Sequence, residues 1–358
     1  MRASFCTHRP ERQAQSERRI KCVVWDLDHT LWEGVLLEDE QVALRPQVLE
    51  AIRVFDSRGI LQSIASKNHY DSAIAKLESL GIREYFLHPQ IGWGSKSQSI
   101  EAIRDALNIG IDSMAFIDDQ AFERDEVSFS HPRVLCIDAK ELDGLLERPE
   151  MKPRIVSEEA RRRRQLYRAA ELRAEAERDF EGPKDAFLAS LGMVFKVGRA
   201  RAEDLQRAEE LVLRTNQLNT SGDTYSQDEL EFFRSSENHM LLMAELDDRY
   251  GSYGKVGLAL LERTQAHWTI KLLLMSCRVM GRGVGSIFLS HILEQARRAG
   301  VSLRAEFVHN DRNRMMWITY KFAGFREVTK VGERLVLEHE LHRIPAPPTF
   351  VRLQVEEL

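Results

Sequence analysis

Long apolar runs are missing from this 358-residue chain. No window approaches the roughly 18 consecutive apolar residues of a membrane-spanning helix, so no membrane partner is expected. Cysteine is scarce and scattered. Cys6, Cys22, Cys136 and Cys277 show no CxxC spacing, which argues against a disulfide framework or a zinc knuckle and for a reducing, cytoplasmic setting. Neither sign of charge dominates: 51 Lys and Arg face 56 Asp and Glu, for a net charge of −5. With no evident basic face to neutralise a phosphate backbone, nucleic acid is not an expected partner. The opening "MRASFCTHRPERQAQSERRIK" is Arg-rich but lacks the apolar stretch of a secretory signal, and residues 1–18 read as a flexible tail. There is no internal repeat and no low-complexity tract.

What is present is the balance of a soluble globular protein, 43% apolar and 30% charged, at a length that favours two cores over one. From residue 19 to 150, short apolar runs alternate with amphipathic segments. "KCVVWDLD", "LQSIAS", "SMAFIDD" and "RVLCID" read as buried strands, and the stretches between them space apolar residues by three and four. This alternation predicts βαβ units and a Rossmann-like, doubly wound parallel sheet in an α/β domain. Residues 151–185 read as a charged helical linker, solvated because Glu and Arg alternate at helical spacing. In residues 186–345, "LLMAEL", "KVGLALLER" and "HWTIKLLLMS" read as consecutive antiparallel strands of an α+β domain, followed by a glycine loop that opens a helix. Residues 346–358 read as a C-terminal tail.

The stretch "CVVWDLDHTLWEGV" ends an apolar run on Asp26 and Asp28, and "SMAFIDD" ends another on Asp118 and Asp119. In a parallel sheet, ligands bind at the carboxyl ends of the strands, where paired carboxylates repel unless a cation relieves them. One such pair could be a turn or a helix cap. Two pairs at strand ends point to Mg²⁺, which takes hard oxygen ligands. Ser66, Lys67 and Asn68 end a further strand with a hydroxyl and donors suited to a phosphoryl oxygen, and Lys96 opens a helix with a cation that could offset the carboxylates.

In order, DxDxT, Ser, Lys and DD resemble the motif series of the haloacid dehalogenase superfamily. The resemblance implies that Asp26 is the phosphoryl-accepting nucleophile, Asp28 the general acid and base, and Ser66 and Lys96 the holders of the phosphoryl group. It further implies Mg²⁺ on Asp26, the Asp28 carbonyl and Asp118 or Asp119, with Thr30, Lys67 and Asn68 beside the substrate. More narrowly, "VVWDLDHTLWEGVLLED", "LQSIASKN", "FIDDQAFERDEV", "RTNQLNTSG" and "LMSCRVMGRGVG" resemble the FkbH-like glyceryl transferases of polyketide biosynthesis, over roughly residues 18–330. That family joins a dehalogenase-like half to an acetyltransferase-like (GNAT-like) half. Its activity, as the resemblance implies it, takes 1,3-bisphosphoglycerate, removes phosphate and loads a glyceryl thioester onto a phosphopantetheinylated acyl carrier protein. His29 and Glu33 depart from the pattern, standing where Asn and Gly are expected.

In the second half, Arg278, Gly281 and Gly283 form RxxGxG, a loop whose amides and following helix could cradle a pyrophosphate, although glycines also mark ordinary turns. Asn313, Tyr320 and "AGF" follow at the spacing seen in the acetyltransferase fold. Cys277 precedes Arg278 and is the candidate acyl carrier, since a positive neighbour favours thiolate, whereas Cys22 and Cys136 sit in apolar strands and read as core. His309 reads as a surface histidine rather than a base. A stand-alone phosphatase and a non-catalytic docking scaffold for a carrier protein are the competing readings.

Overall fold

The computed structural model describes residues 19–39, 41–215 and 218–356, so the expected tail at 1–18, with Cys6, lies outside the described residues. The chain forms two compact units, Met1–Val156 with Ala160–Arg164, and Ser157–Glu159 with Gln165–Leu358.

The first unit is built in the order β1 (Cys22–Trp25), β2 (Trp32–Glu33), β3 (Ala43–Leu44), α1 (Pro46–Ser57), β4 (Leu61–Ser66), α2 (Tyr70–Ser79), β5 (Gln90–Ile91), α3 (Lys96–Leu107), β6 (Met114–Asp118), α4 (Ala121–Ser130) and β7 (Leu135–Asp138). β2 and β3 pair with each other as a small hairpin, and the other five strands form one sheet ordered β5-β4-β1-β6-β7. Every pairing in that sheet is parallel. β1, β4 and β6 are buried at every residue because both faces of the sheet are covered; β1 is wholly apolar and β6 is apolar up to Asp118, while β4 also buries Gln62, which accepts from Trp25 Nε1 at 3.1 Å and donates to Ile52 O at 2.9 Å. The strand order reverses beside β1, so the ends of β1 and β6 meet at the switch point where such sheets bind ligands. α3 starts on Ser95, whose side chain accepts from the Gln98 amide at 3.4 Å, and ends on Asn108 in the left-handed conformation.

Next in the chain come α5 (Glu158–Arg161) and α6 (Arg163–Arg178). The second unit continues with α7 (Lys184–Ser190), β8 (Met193–Arg199), α8 (Leu205–Arg214), α9 (Gln227–Ser235), β9 (His239–Asp248), β10 (Gly251–Arg263), β11 (His267–Met275), α10 (Val284–Ala299), β12 (Ser302–Val308), α11 (Arg314–Ala323), β13 (Arg326–Val331), β14 (Arg334–His339) and β15 (Val351–Val355). Its sheet runs β13-β14-β12-β11-β10-β9-β8-β15. Thus α/β and α+β architectures follow one another, as expected. Two local expectations fail. Residues 351–355 are no tail but an edge strand that pairs parallel with β8, from Val351 opposite Met193 to Val355 opposite Val197. The linker is not wholly solvated either: Arg173 is 1% exposed, forks onto Asp248 at 2.7 and 2.9 Å, and stacks on Tyr253 at 3.7 Å. A buried guanidinium persists there because a carboxylate and an aromatic face replace its water.

β11 and β12 pair only from His267 opposite Ser302 to Ile270 opposite Ala305 and then diverge. Residues 218–220 enter the gap between them. The Thr220 amide donates to Leu273 O at 3.1 Å, the Met275 amide to Leu218 O at 2.9 Å, and the Val308 amide to Thr220 O at 2.9 Å. These bonds satisfy strand groups that divergence would otherwise orphan. Among the described residues, no helix is long and apolar enough to cross a membrane.

Candidate active site

Asp26 follows β1 directly, and its amide donates to Ile117 O of β6 at 2.9 Å, which sets its carboxylate beside that of Asp118 at the end of β6. Lys96, the first residue of α3, places Nζ 2.5 Å from Asp26 Oδ1 and 3.0 Å from Asp118 Oδ2, with a third bond to Ala65 O at 2.8 Å. Asp26, Asp118 and Lys96 are 5%, 1% and 3% exposed, so this ion triad is almost dry. Burial pushes the Asp26 carboxyl up to about 7 against the pull of Lys96, with the Asp118 charge adding to the rise. Burial likewise raises Asp118. Burial alone would lower Lys96, but the two carboxylates outweigh it and hold the ammonium above its ordinary value.

Asp26, Asp118 and Asp119 each bring an oxygen within 4.8 Å of the others. Asp119 Oδ1 is buried without a hydrogen-bond partner, and Ser66 Oγ is buried beside the Asp26 carboxylate. Three carboxylates against one ammonium, with an acceptor oxygen left unpaired, form a hard-oxygen set that fits a divalent cation such as Mg²⁺.

The Asp28 carboxylate stands outside this set. Its Oδ1 accepts from Trp32 Nε1 at 2.8 Å and the Leu36 amide at 3.0 Å, and its Oδ2 from Asn68 Nδ2 at 2.9 Å. Asn68 and Thr30, expected to touch substrate, instead spend their polar atoms on the frame. Asn68 orients Asp28, while Thr30, fully buried, accepts the Asp119 amide at 3.0 Å and so holds the second acidic loop to the first. Lys67 is paired with Glu123 Oε1 at 2.6 Å, its side chain 38% exposed. His29 has φ 53, a left-handed conformation that Asn, His and Asp tolerate best, which accounts for the exchange with the expected Asn. The glycine expected at Glu33 stands one position later, at Gly34 with φ 89.

Sequence reasoning missed the acidic face of α4. Glu126 accepts from the Lys96 amide at 3.3 Å, the Ser97 amide at 3.2 Å and Ser97 Oγ at 2.5 Å. Burial works against the Glu126 charge, but these donors outweigh it and lower its pKa. The signal was present in "FIDDQAFERDEV", where Glu123 and Glu126 sit three apart and share a helix face.

In the second unit, Cys277 is partly exposed at the start of a short 3-10 turn; in the first, Cys22 is fully buried and burial drives its thiol far above the ordinary range, but Cys136, expected in the core, is partly exposed because β7 is an edge strand. Gly281 and Gly283 have φ of 77 and 74, so the turn itself demands glycine at both positions. The side of Gly283 that a Cβ would occupy is already covered, by Pro348 at 3.3 Å and Phe350 at 3.4 Å. Arg278 Nε bonds Ser276 Oγ at 3.3 Å. Asn313, expected at a substrate, is wholly buried and donates to Asn219 O at 3.1 Å and Val308 O at 2.8 Å, so it fastens the inserted 218–220 segment. His309 is exposed and lies against Trp317, with ring centroids 4.6 Å apart.

No family model matches the chain. Magnesium-dependent phosphatase 1 of Homo sapiens is 30% identical to it over 139 residues, which take in 34% of this chain and 78% of that protein. Among solved structures, the N-terminal part of a Bacteroides fragilis protein, containing a phosphatase domain and complexed with Mg, is 30% identical. That match covers 36% of this chain and 40% of the other, with a TM-score of 0.32. The ribosomal-protein-S18-alanine N-acetyltransferase of Escherichia coli is 16% identical, covering 40% of this chain and 90% of the other, with a TM-score of 0.32.

Proposed function

Because this chain belongs to the magnesium-dependent phosphatase family, we propose that its first unit is a Mg²⁺-dependent phosphatase with Asp26 as the nucleophile. The observation that carries this is the buried Lys96 ammonium joined to Asp26 and Asp118 at the sheet's switch point. Asp26, Asp118 and Asp119 would hold Mg²⁺, which when bound neutralises charge on the phosphoryl oxygens and on the attacking carboxylate. Lys96 fixes the attacking oxygen, and Ser66 Oγ offers its hydroxyl to the phosphoryl group. An Asp26 oxygen forms a bond to phosphorus as the bond to the leaving oxygen breaks, and Asp28 gives that oxygen its proton. Asp28 then takes a proton from the water that opens the aspartyl phosphate, which restores Asp26 and releases inorganic phosphate. Asp26→Asn should abolish phosphate release from a small phosphomonoester while leaving the fold intact, and EDTA should do the same reversibly. Near-normal turnover by Asp26→Asn overturns this assignment.

At a finer level, we take the substrate to be 1,3-bisphosphoglycerate and the acceptor to be the thiol of a phosphopantetheinylated acyl carrier protein, on the strength of the FkbH-like wording of the sequence. The second unit then acts as the acyltransferase. Cys277 Sγ forms a bond to the acyl carbon as the carbon–oxygen bond to phosphate breaks, and the carrier thiol takes the glyceryl group by thioester exchange. The remaining phosphate ester is hydrolysed at Asp26. Burial disfavours Cys22, while Cys136 and Cys277 are both partly exposed; Cys277 is favoured of the two because it lies in the second unit with Arg278 next to it. Intact-mass spectrometry after incubation with 1,3-bisphosphoglycerate should show a glyceryl adduct that Cys277→Ala eliminates and that a carrier protein removes. An adduct persisting in Cys277→Ala moves the role to another cysteine. Phosphate release without any adduct reduces the protein to a stand-alone phosphatase.

A further inference from the structure

We propose that Glu126 is a positioning residue for Lys96, acting from α4 on the first turn of α3. This rests on the phosphatase reading and adds to it a residue outside the reacting set. Lys96 opens α3, so the place of its ammonium depends on where that helix begins. The first amides of a helix have no partner within it. Here the Lys96 and Ser97 amides both donate to the Glu126 carboxylate, at 3.3 and 3.2 Å, and Ser97 Oγ adds a third bond at 2.5 Å. His131, which ends α4, meets Ser97 O through Nε2 at 3.1 Å, so α4 holds this turn at two points.

α4 is in turn tied to the acidic strand end. Arg124 donates to Asp118 O at 2.8 Å and to Asp138 Oδ2 at 2.6 Å. Asp118 is thus joined to Lys96 twice, directly through its carboxylate and indirectly through Arg124, α4 and Glu126. The indirect route fixes the ammonium relative to the carboxylates before any substrate arrives. A charged group displaced by about 1 Å can cost on the order of 10²-fold in rate while its charge remains in the pocket.

The competing role is that of a helix cap, because a carboxylate at a helix N-terminus also stabilises the helix. The two roles part in kinetics. Glu126→Ala should lower kcat on the order of 10²-fold with KM for a small phosphomonoester changed less than about threefold. Glu126→Gln, which keeps an acceptor oxygen for the α3 amides, should recover most of that loss. Independently of activity, hydrogen exchange at the Lys96 and Ser97 amides should quicken in Glu126→Ala while the β6 amides stay protected. Wild-type kcat in Glu126→Ala, beside an inactive Asp26→Asn, overturns the positioning role alone. Losses of kcat in Ala and Gln variants that only track their melting temperatures do so too. An active Asp26→Asn overturns the phosphatase reading instead.

Discussion

Replacing Lys96 with Met keeps most of the side-chain stem and removes the ammonium that donates to Asp26, Asp118 and Ala65 O. Removing one partner of a buried ion pair costs about 3–5 kcal/mol, because the charge left behind is uncompensated. Two carboxylates lose their cation here, but Asp26 is already pushed up to about 7 by burial and can take a proton, so the lower end, about 3 kcal/mol, applies. At 1.4 kcal/mol per factor of ten, opening of the sheet becomes about 10²-fold easier. A bound divalent cation offsets the same charges, and at a hundred times its Kd it stabilises the folded state by about 2.7 kcal/mol. Hydrogen exchange of peptides spanning Cys22–Trp25 and Met114–Asp118 measures this directly, since amides in fully buried strands exchange only when the sheet opens. In EDTA, Lys96→Met should exchange about 10²-fold faster than the parent. With Mg²⁺ the difference should shrink, the variant gaining more protection than the parent. Unchanged exchange in EDTA, or equal protection of both proteins by Mg²⁺, refutes the reasoning.

Gly283→Val should lower the stability of the second unit by about 1–2 kcal/mol, since a β-branched residue at φ 74 is strained and its Cβ would press on Pro348 and Phe350. Phosphate release should be unchanged, and a melting temperature equal to the parent's would show that this turn does not demand glycine. Burial lowers the pKa of His291, with Arg298 adding to the effect, and burial likewise lowers His239 and His339. The unfolded chain therefore binds these protons first, so stability is full above the unfolded value of about 6.5 and falls as pH drops below it. Urea midpoints at pH 7.5 and 5.5 should show this fall, and His291→Phe should reduce it; an unaltered pH dependence in that variant removes His291 from the account.

β1, β4 and β6 were legible because strands covered on both faces are mostly apolar, and β7, half-buried at the sheet's edge, because Leu135, Cys136 and Ile137 still form an apolar run. The hairpin of β2 and β3 and the short β5, two residues each, carry too little sequence for any period to register. β15 follows "IPAPP", which reads as a chain end, and only its distant pairing with β8 makes it a strand. Asp26, Asp118 and Lys96 could be picked out because each stands where a strand ends or a helix starts. The parts of Thr30, Asn68 and Asn313 could not, because a sequence shows which atoms can bond but not which partners the fold supplies. Glu126 was hidden for the same reason, its partners lying on another helix.

The insertion of residues 218–220 between the diverging ends of β11 and β12 bears on how the second unit comes apart. Leu273, Met275 and Val308 pair with β10 or β14 on one side but lie beyond the register in which β11 and β12 pair each other, so on that pairing alone their gap-facing amides would have no partner. Each instead belongs to a junction closed by a segment that precedes both strands in the chain: Leu273 N donates to Thr220 Oγ1 at 3.0 Å, Met275 N to Leu218 O and Val308 N to Thr220 O. Neither strand end can loosen without breaking contacts that the other shares. The seam should therefore open in a single step, with these three amides exchanging together at the rate of global unfolding rather than one by one from the strand ends.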